Sequence, residues 1–112
     1  MSKKLLLAGV HKVHYIPLSN IIFCEADDNW TKIYTIGPKK YEVCQTLKQI
    51  EERINAEEFF RTHRKYLINL FFVKEIKGNY EFLIIHEDYI VRVSRRKKSL
   101  LKDAIKSLVE IC

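Results

Sequence analysis

The feature that most limits what this chain can fold into is how soon each β-forming run is stopped by turn chemistry. Residues 30–36 alternate Trp30, Lys32, Tyr34 and Ile36 against Thr31, Ile33 and Thr35, a strand pattern closed by Gly37-Pro38. Ile21-Ile22-Phe23-Cys24 lies between Ser19-Asn20 and Asp27-Asp28-Asn29. Residues 13–16 stop at Pro17, which has no N–H to give a ladder. Residues 40–44 read as the hairpin partner of 30–36. Strands are also predicted over 66–70 and 72–76, then over 81–85 and 89–93, with turns at Lys77-Gly78-Asn79 and His86-Glu87-Asp88. Runs this short, joined by turns, predict antiparallel pairing rather than βαβ units.

Two helices interrupt the pattern. Thr46-Leu47-Lys48-Gln49 has the spacing of a capping box, and Leu47, Ile50 and Ile54 share one face, predicting a helix over 47–55. Leu101, Ala104, Ile105 and Leu108 form the apolar stripe of a final helix, opened by Ser94 as N-cap and running to about Glu110. The expected fold is mainly β: elongated antiparallel sheets of short strands with two accessory α-helices. A length of 112 residues fits a single domain, and a hydrophobic fraction of 47% supplies its core.

No apolar run is long enough to cross a bilayer. The opening Leu5-Leu6-Leu7-Ala8 is broken by His11 and Lys12 too early for an export signal. The widely spaced Cys24, Cys44 and Cys112 suit neither a disulfide framework nor zinc, and point to a cytosolic protein in which Cys24 and Cys44 act as small apolar strand residues. His11 and His14 would face opposite sides of a strand and cannot share a metal. No Gly-rich phosphate loop or nucleophile elbow is visible, so neither an enzyme nor a cofactor is expected.

Charge is where the sequence speaks to function. Arg61, Arg64, Lys65, Arg95, Arg96, Lys97 and Lys98 carry seven positive charges against a net charge of +6, so the rest of the chain is net negative by one. Basicity this local is either a solvated cluster or the footprint of a polyanion. Residues 95–98 fall where the first turn of the final helix is expected. Cations there oppose the helix dipole, by roughly 0.3–1 kcal/mol each at most, and make sense if an anion sits against them. In residues 61–65, Arg64 suits a bidentate contact with a guanine edge, and Arg61 and Lys65 suit phosphates. His63 either donates to DNA or fixes the loop, which is expected to be a loop or strand edge. A third candidate is the turn carrying Asn29, Trp30, Thr31 and Lys32, although Trp30 also suits sheet packing.

These residues together resemble the LytTR DNA-binding domain, the output domain of many bacterial response regulators. Residues 21–33, with Glu25-Ala26 and Asn29-Trp30, are similar to the family's I-x-x-I/F-E-A-x-x-N-Y-x-x-I stretch. Thr46-Leu47 through Ile50-Glu51 resembles its T-L-x-x-L-E helix start. Phe59-Phe60-Arg61-Thr62-His63-Arg64-Lys65-Tyr66-Leu67-Ile68-Asn69 resembles F-x-R-x-H-R-S-Y-L-V-N, the most specific of the motifs, and Val93-Ser94-Arg95-Arg96 resembles P-V-S-R-R. The resemblance implies base reading by the 30–32 turn, Arg64 and Arg95, with Arg61, Lys65, Arg96 and Lys98 on phosphates. It implies double-stranded DNA with repeated half-sites as partner, a homodimer on that DNA, and control through a receiver domain and sensor kinase.

Lys65 departs from the family's serine, and Arg92 stands where proline is common. The length leaves no room for a receiver domain, so a stand-alone binder or the output domain of a longer regulator is expected. The alternative reading is a protein-interaction or anionic-ligand module using the same basic patch.

Overall fold

Four consecutive buried residues, Ile21, Ile22, Phe23 and Cys24, mark the strand around which the molecule is layered. Successive side chains on a strand point to opposite faces, so such a run requires cover on both sides. The computed structural model describes residues 4–8, 13–37 and 39–108. Ile21, Ile22, Phe23 and Cys24 open β3 (Ile21–Asp27), the middle strand of a five-stranded sheet. The other strands are β4 (Trp30–Thr35), β5 (Lys40–Val43), β6 (Phe59–His63) and β7 (Tyr66–Asn69), all antiparallel in the order β5-β4-β3-β7-β6.

One face of this sheet is covered by the hairpin of β1 (Lys4–Ala8) and β2 (Val13–Pro17) together with α1 (Leu47–Ile54). Their Leu5, Leu7, Ile16, Leu47, Ile50 and Ile54 pack on Ile21, Cys24, Ile33 and Leu67. The other face carries Ile22, Phe23 and Ile68. It is covered by the sheet of β8 (Val73–Lys77), β9 (Phe82–Ile85) and β10 (Tyr89–Arg92), and by α2 (Lys98–Leu108). Leu83, Ile85, Val91, Val93 and Leu101 complete that second core. A register shift between Ile21 and Phe23 puts Ile22 and Phe23 on the same side, which is how β3 feeds both cores without strict alternation. The described residues measure 47 × 32 × 24 Å, an elongated shape.

The mainly β, antiparallel fold with two helices is as expected. The capping box forms in full: Gln49 N–H donates to Thr46 Oγ1 at 3.2 Å and Thr46 N–H to Gln49 Oε1 at 2.9 Å. The structure adds detail at two places and corrects two local readings, the start of the final helix and the setting of Cys44. Residues 4–8, for which no element was expected, form a strand paired with β2. Residues 59–63 form an edge strand, one of the two forms expected for the first basic segment. The final helix begins at Lys98, preceded by a 3-10 turn at Arg95–Lys97, and the Ser94 side chain caps nothing. Cys44 is exposed just past β5, whereas Cys24 is buried as expected, with burial pushing its thiol up to about 12. Cys112, His11 and the predicted helix end at Glu110 lie outside the described residues.

Candidate nucleic-acid interface

The antiparallel order brings separated parts of the sequence to one end of the five-stranded sheet. β3 pairs with β7 through Glu25 and Tyr66, and Ala26 N–H donates to the Lys65 carbonyl at 2.8 Å. The β3–β4 turn at Asp28-Asn29 and the β6–β7 turn at Arg64-Lys65 therefore sit side by side. Asp28 takes φ +56°, which Asp tolerates in tight turns. The third segment is tied to the same region: Ser94 N–H donates to the Thr62 carbonyl at 2.8 Å, and Lys97 Nζ lies 5.9 Å from the Phe60 ring centroid.

The β6–β7 turn is braced from within. Arg61 Nε donates to the His63 carbonyl at 3.2 Å, its Nη2 to the Arg64 carbonyl at 2.6 Å, and its Nη1 to Glu51 Oε1 at 3.1 Å. With 21% of its side chain exposed, Arg61 is chiefly a brace, a different use from the phosphate contact expected of it. Glu51 comes from α1, so the first helix holds the turn. A register shift between Arg61 and His63 makes Thr62 an extra residue in β6. Without it, His63 would share a face with Arg61; with it, His63 turns to the α2 side, 5.9 Å from the Tyr66 ring.

His63 Nδ1 accepts the Lys65 N–H at 3.2 Å, which fixes the neutral ring with its proton on Nε2. Burial, then the nearby charges of Arg64, Arg92, Lys65 and Arg61, hold its imidazole below the ordinary value. The loop-fixing role is thus realised, and among the described residues it leaves the Nε2–H unused.

Arg64 and Lys65 are exposed, as are Arg95 and Arg96. Among the described residues, no side-chain partner engages Arg64, Arg95 or Arg96. Lys98 Nζ stands 3.9 Å from Glu81 Oε1. Because Arg95–Lys97 form a 3-10 turn, only Lys98 lies in the first turn of α2, and the Lys97 N–H is already given to the Ser94 carbonyl at 3.0 Å. The dipole argument consequently applies to Lys98, and the other three cations approach the helix from outside it.

In the third segment Asn29 is exposed, and Trp30 is 48% exposed rather than packed in the sheet. Lys32 Nζ lies 3.8 Å from Asp27 Oδ2. Thr31 must be removed from the contact set, since it faces the α1 side, is fully buried, and donates its hydroxyl to the Gln45 carbonyl at 2.7 Å. Sequence reasoning missed the bracing role of Glu51, for which only its place on the exposed side of a short helix gave any hint. Among the described residues no three His, Cys, Asp or Glu side chains gather to hold a metal ion, and no helix is long and apolar enough to cross a membrane.

A model of the LytTr DNA-binding domain family matches residues 11–106. The chain is 36% identical over 76 residues to the transcriptional regulatory protein LytR of Staphylococcus aureus, covering 66% of this chain and 30% of that protein. It is 30% identical over 110 residues to the sensory transduction protein LytT of Oceanobacillus iheyensis, covering 94% of this chain and 45% of the other. The chain thus spans less than half the length of these relatives. Its fold matches a solved LytTr DNA-binding domain from Bacillus cereus with a TM-score of 0.76 at 20% identity, over 94% of this chain and 97% of that one.

Proposed function

The chain belongs to the LytTr DNA-binding domain family, a family of DNA-binding domains rather than enzymes, and from that premise we propose that it binds double-stranded DNA sequence-specifically as a transcriptional regulator. The observation that carries this reading is the convergence of the β3–β4 turn, the β6–β7 turn and residues 95–98 at one end of the sheet. Three projecting elements, two of them strongly basic, suit successive approaches to the major groove of a duplex.

In this reading Arg64 and Arg95 reach base edges, because they are exposed and unpaired and guanidinium groups pair bidentately with guanine. Asn29, Trp30 and Lys32 form the third reading element. Lys65, Arg96, Lys97 and Lys98 contact phosphates, with His63 Nε2–H as a further donor. Two copies bind repeated half-sites one or two helical turns apart. The 112 residues act as one DNA-binding domain in the cytosol, and a receiver domain answering a sensor kinase acts from outside them.

Selection from random duplex DNA tests the reading directly. A repeated motif should be enriched, and Arg64→Ala and Arg95→Ala should each weaken binding to it by roughly 1–3 kcal/mol while relaxing preference at one position. Selection that enriches nothing would leave a general polyanion or acidic-protein partner as the better account.

A further inference from the structure

Behind the row of cations at residues 95–98 lies a cleft of about 370 Å³, lined by His63, Glu81, Arg92, Ser94, Arg95 and Lys98. It is bounded by the end of β6 on one side and the exit of β10 on the other, joined by the Ser94-to-Thr62 backbone bond. Arg92 is the last residue of β10, an edge strand, and its side chain is exposed. It pairs in register with Phe82, opposite no acidic residue, and no side chain among the described residues engages its guanidinium. Its charge is nonetheless felt at His63.

The cleft therefore collects three cations, Arg92, Arg95 and Lys98, from one stretch of chain, and the neutral His63 from β6. It also holds one anion. Glu81 is fixed by its backbone, donating to the Lys77 carbonyl at 3.1 Å and accepting from Val93 N–H at 2.9 Å, and its carboxylate occupies Lys98. A carboxylate 3.9 Å from Lys98, in a cleft that Arg92 and Arg95 also line, is the natural competitor of a second anion of similar size.

We propose that this cleft seats one phosphate of the DNA backbone, that Arg92 is a contact to it, and that Glu81 competes with that phosphate for Lys98. The proposal rests on the DNA-binding reading above and extends it by a contact outside both basic segments. A phosphate is favoured over a base edge because the acceptor must satisfy several cations at once, which a backbone oxygen pair does and a single base does not.

The experiment compares wild type, Arg92→Ala, Arg92→Lys and Glu81→Gln on two duplexes, the selected site and a scrambled one, over a salt series. Thermal unfolding of each variant confirms that the fold is intact. Loss of one phosphate contact should make the salt slope shallower by about 0.9 and weaken binding about 5-fold at 0.15 M salt. Arg92→Ala should show this on both duplexes alike, and Arg92→Lys should recover most of it. Glu81→Gln should tighten binding to both duplexes, by about 2- to 5-fold.

An Arg92→Ala protein indistinguishable from wild type on both duplexes overturns the proposal. So does a loss confined to the selected site, which would make Arg92 a base reader. Unchanged or weaker binding by Glu81→Gln overturns the competition. A wild type with no preferred site refutes sequence-specific reading alone, because the scrambled duplex still reports whether Arg92 meets a phosphate.

Discussion

The two basic segments carry similar charge and are built in opposite ways. In residues 61–65, Arg61 spends its guanidinium on the His63 and Arg64 carbonyls and on Glu51, and His63 ties down the Lys65 amide. The exposed Arg64 is thereby presented from a turn braced at its own carbonyl and at that of His63. In residues 95–98, Arg95 and Arg96 project from a short 3-10 turn with no side-chain partner among the described residues, and Lys97 and Lys98 are only loosely occupied by Phe60 and Glu81. The first arrangement suits reading, which needs a fixed donor geometry. The second, apart from Arg95 with its proposed base contact, suits attraction, which needs charge more than position. Charge alone does not separate readers from anchors; the bonding around each cation does.

The largest effect expected from breaking this contrast comes from Arg61→Ala. It removes three charge-assisted bonds that are partly solvent-screened, so a stability loss of about 1–3 kcal/mol is expected in thermal or urea unfolding. It should also lower affinity for the selected site more than for scrambled DNA, because Arg64 loses its support. Arg61→Lys should fail to rescue, since a lysine cannot span three acceptors in a fixed fork. The double variant Arg61→Ala/Arg64→Ala should bind the selected site little worse than Arg61→Ala alone. Additive losses in that cycle would mean that Arg61 contacts DNA in its own right.

How much of this was legible in the sequence follows from which interactions are local. The α1 cap, the Asp28-Asn29 turn and the alternation of β4 depend on residues a few positions apart, and they form as read. The basic end of the molecule was marked by cations that have no reason to cluster in a core. What escaped depends on distant partners. β1 becomes a strand only because β2 returns beside it, and the β3 and β6 bulges arise where twisted strands must feed two cores. The brace on Arg61 needs Glu51, ten residues away in a helix whose docking no periodicity specifies. Thr31 illustrates the same limit: alternation set it opposite Trp30 and Lys32, yet the family motif grouped all three as contacts, and burial decides for the alternation.

A smaller effect should distinguish the second segment as an attractor. Lys97→Ala is expected to weaken binding to selected and scrambled duplexes by the same factor and to make the salt slope shallower by about 1. If six to eight phosphates are neutralised, the wild-type slope of log K against log salt lies at about −5 to −7, so a change of this size is measurable. A Lys97→Ala loss confined to the selected site would place base reading in this segment beyond Arg95 and blur the contrast.

The smallest expected effect concerns His63 and the rigidity of the first segment. Its imidazole is held below the ordinary value of 6.5 in the folded protein, by burial first and then by the surrounding arginines and Lys65. Between that lowered value and about 6.5, the unfolded chain binds more protons than the folded one. Stability should then fall as pH drops through this window, and stay flat in this contribution above it and below it. The structural cause is specific, because protonation places a hydrogen on Nδ1 and ends the acceptance of the Lys65 N–H. His63→Gln keeps an acceptor for that amide and removes the titration. The thermal midpoint of wild type should therefore decline relative to His63→Gln as pH falls below about 6.5, a comparison in which the other histidines cancel. Parallel curves for the two proteins would show that the β6–β7 turn does not depend on neutral His63, leaving Arg61 as its main internal brace.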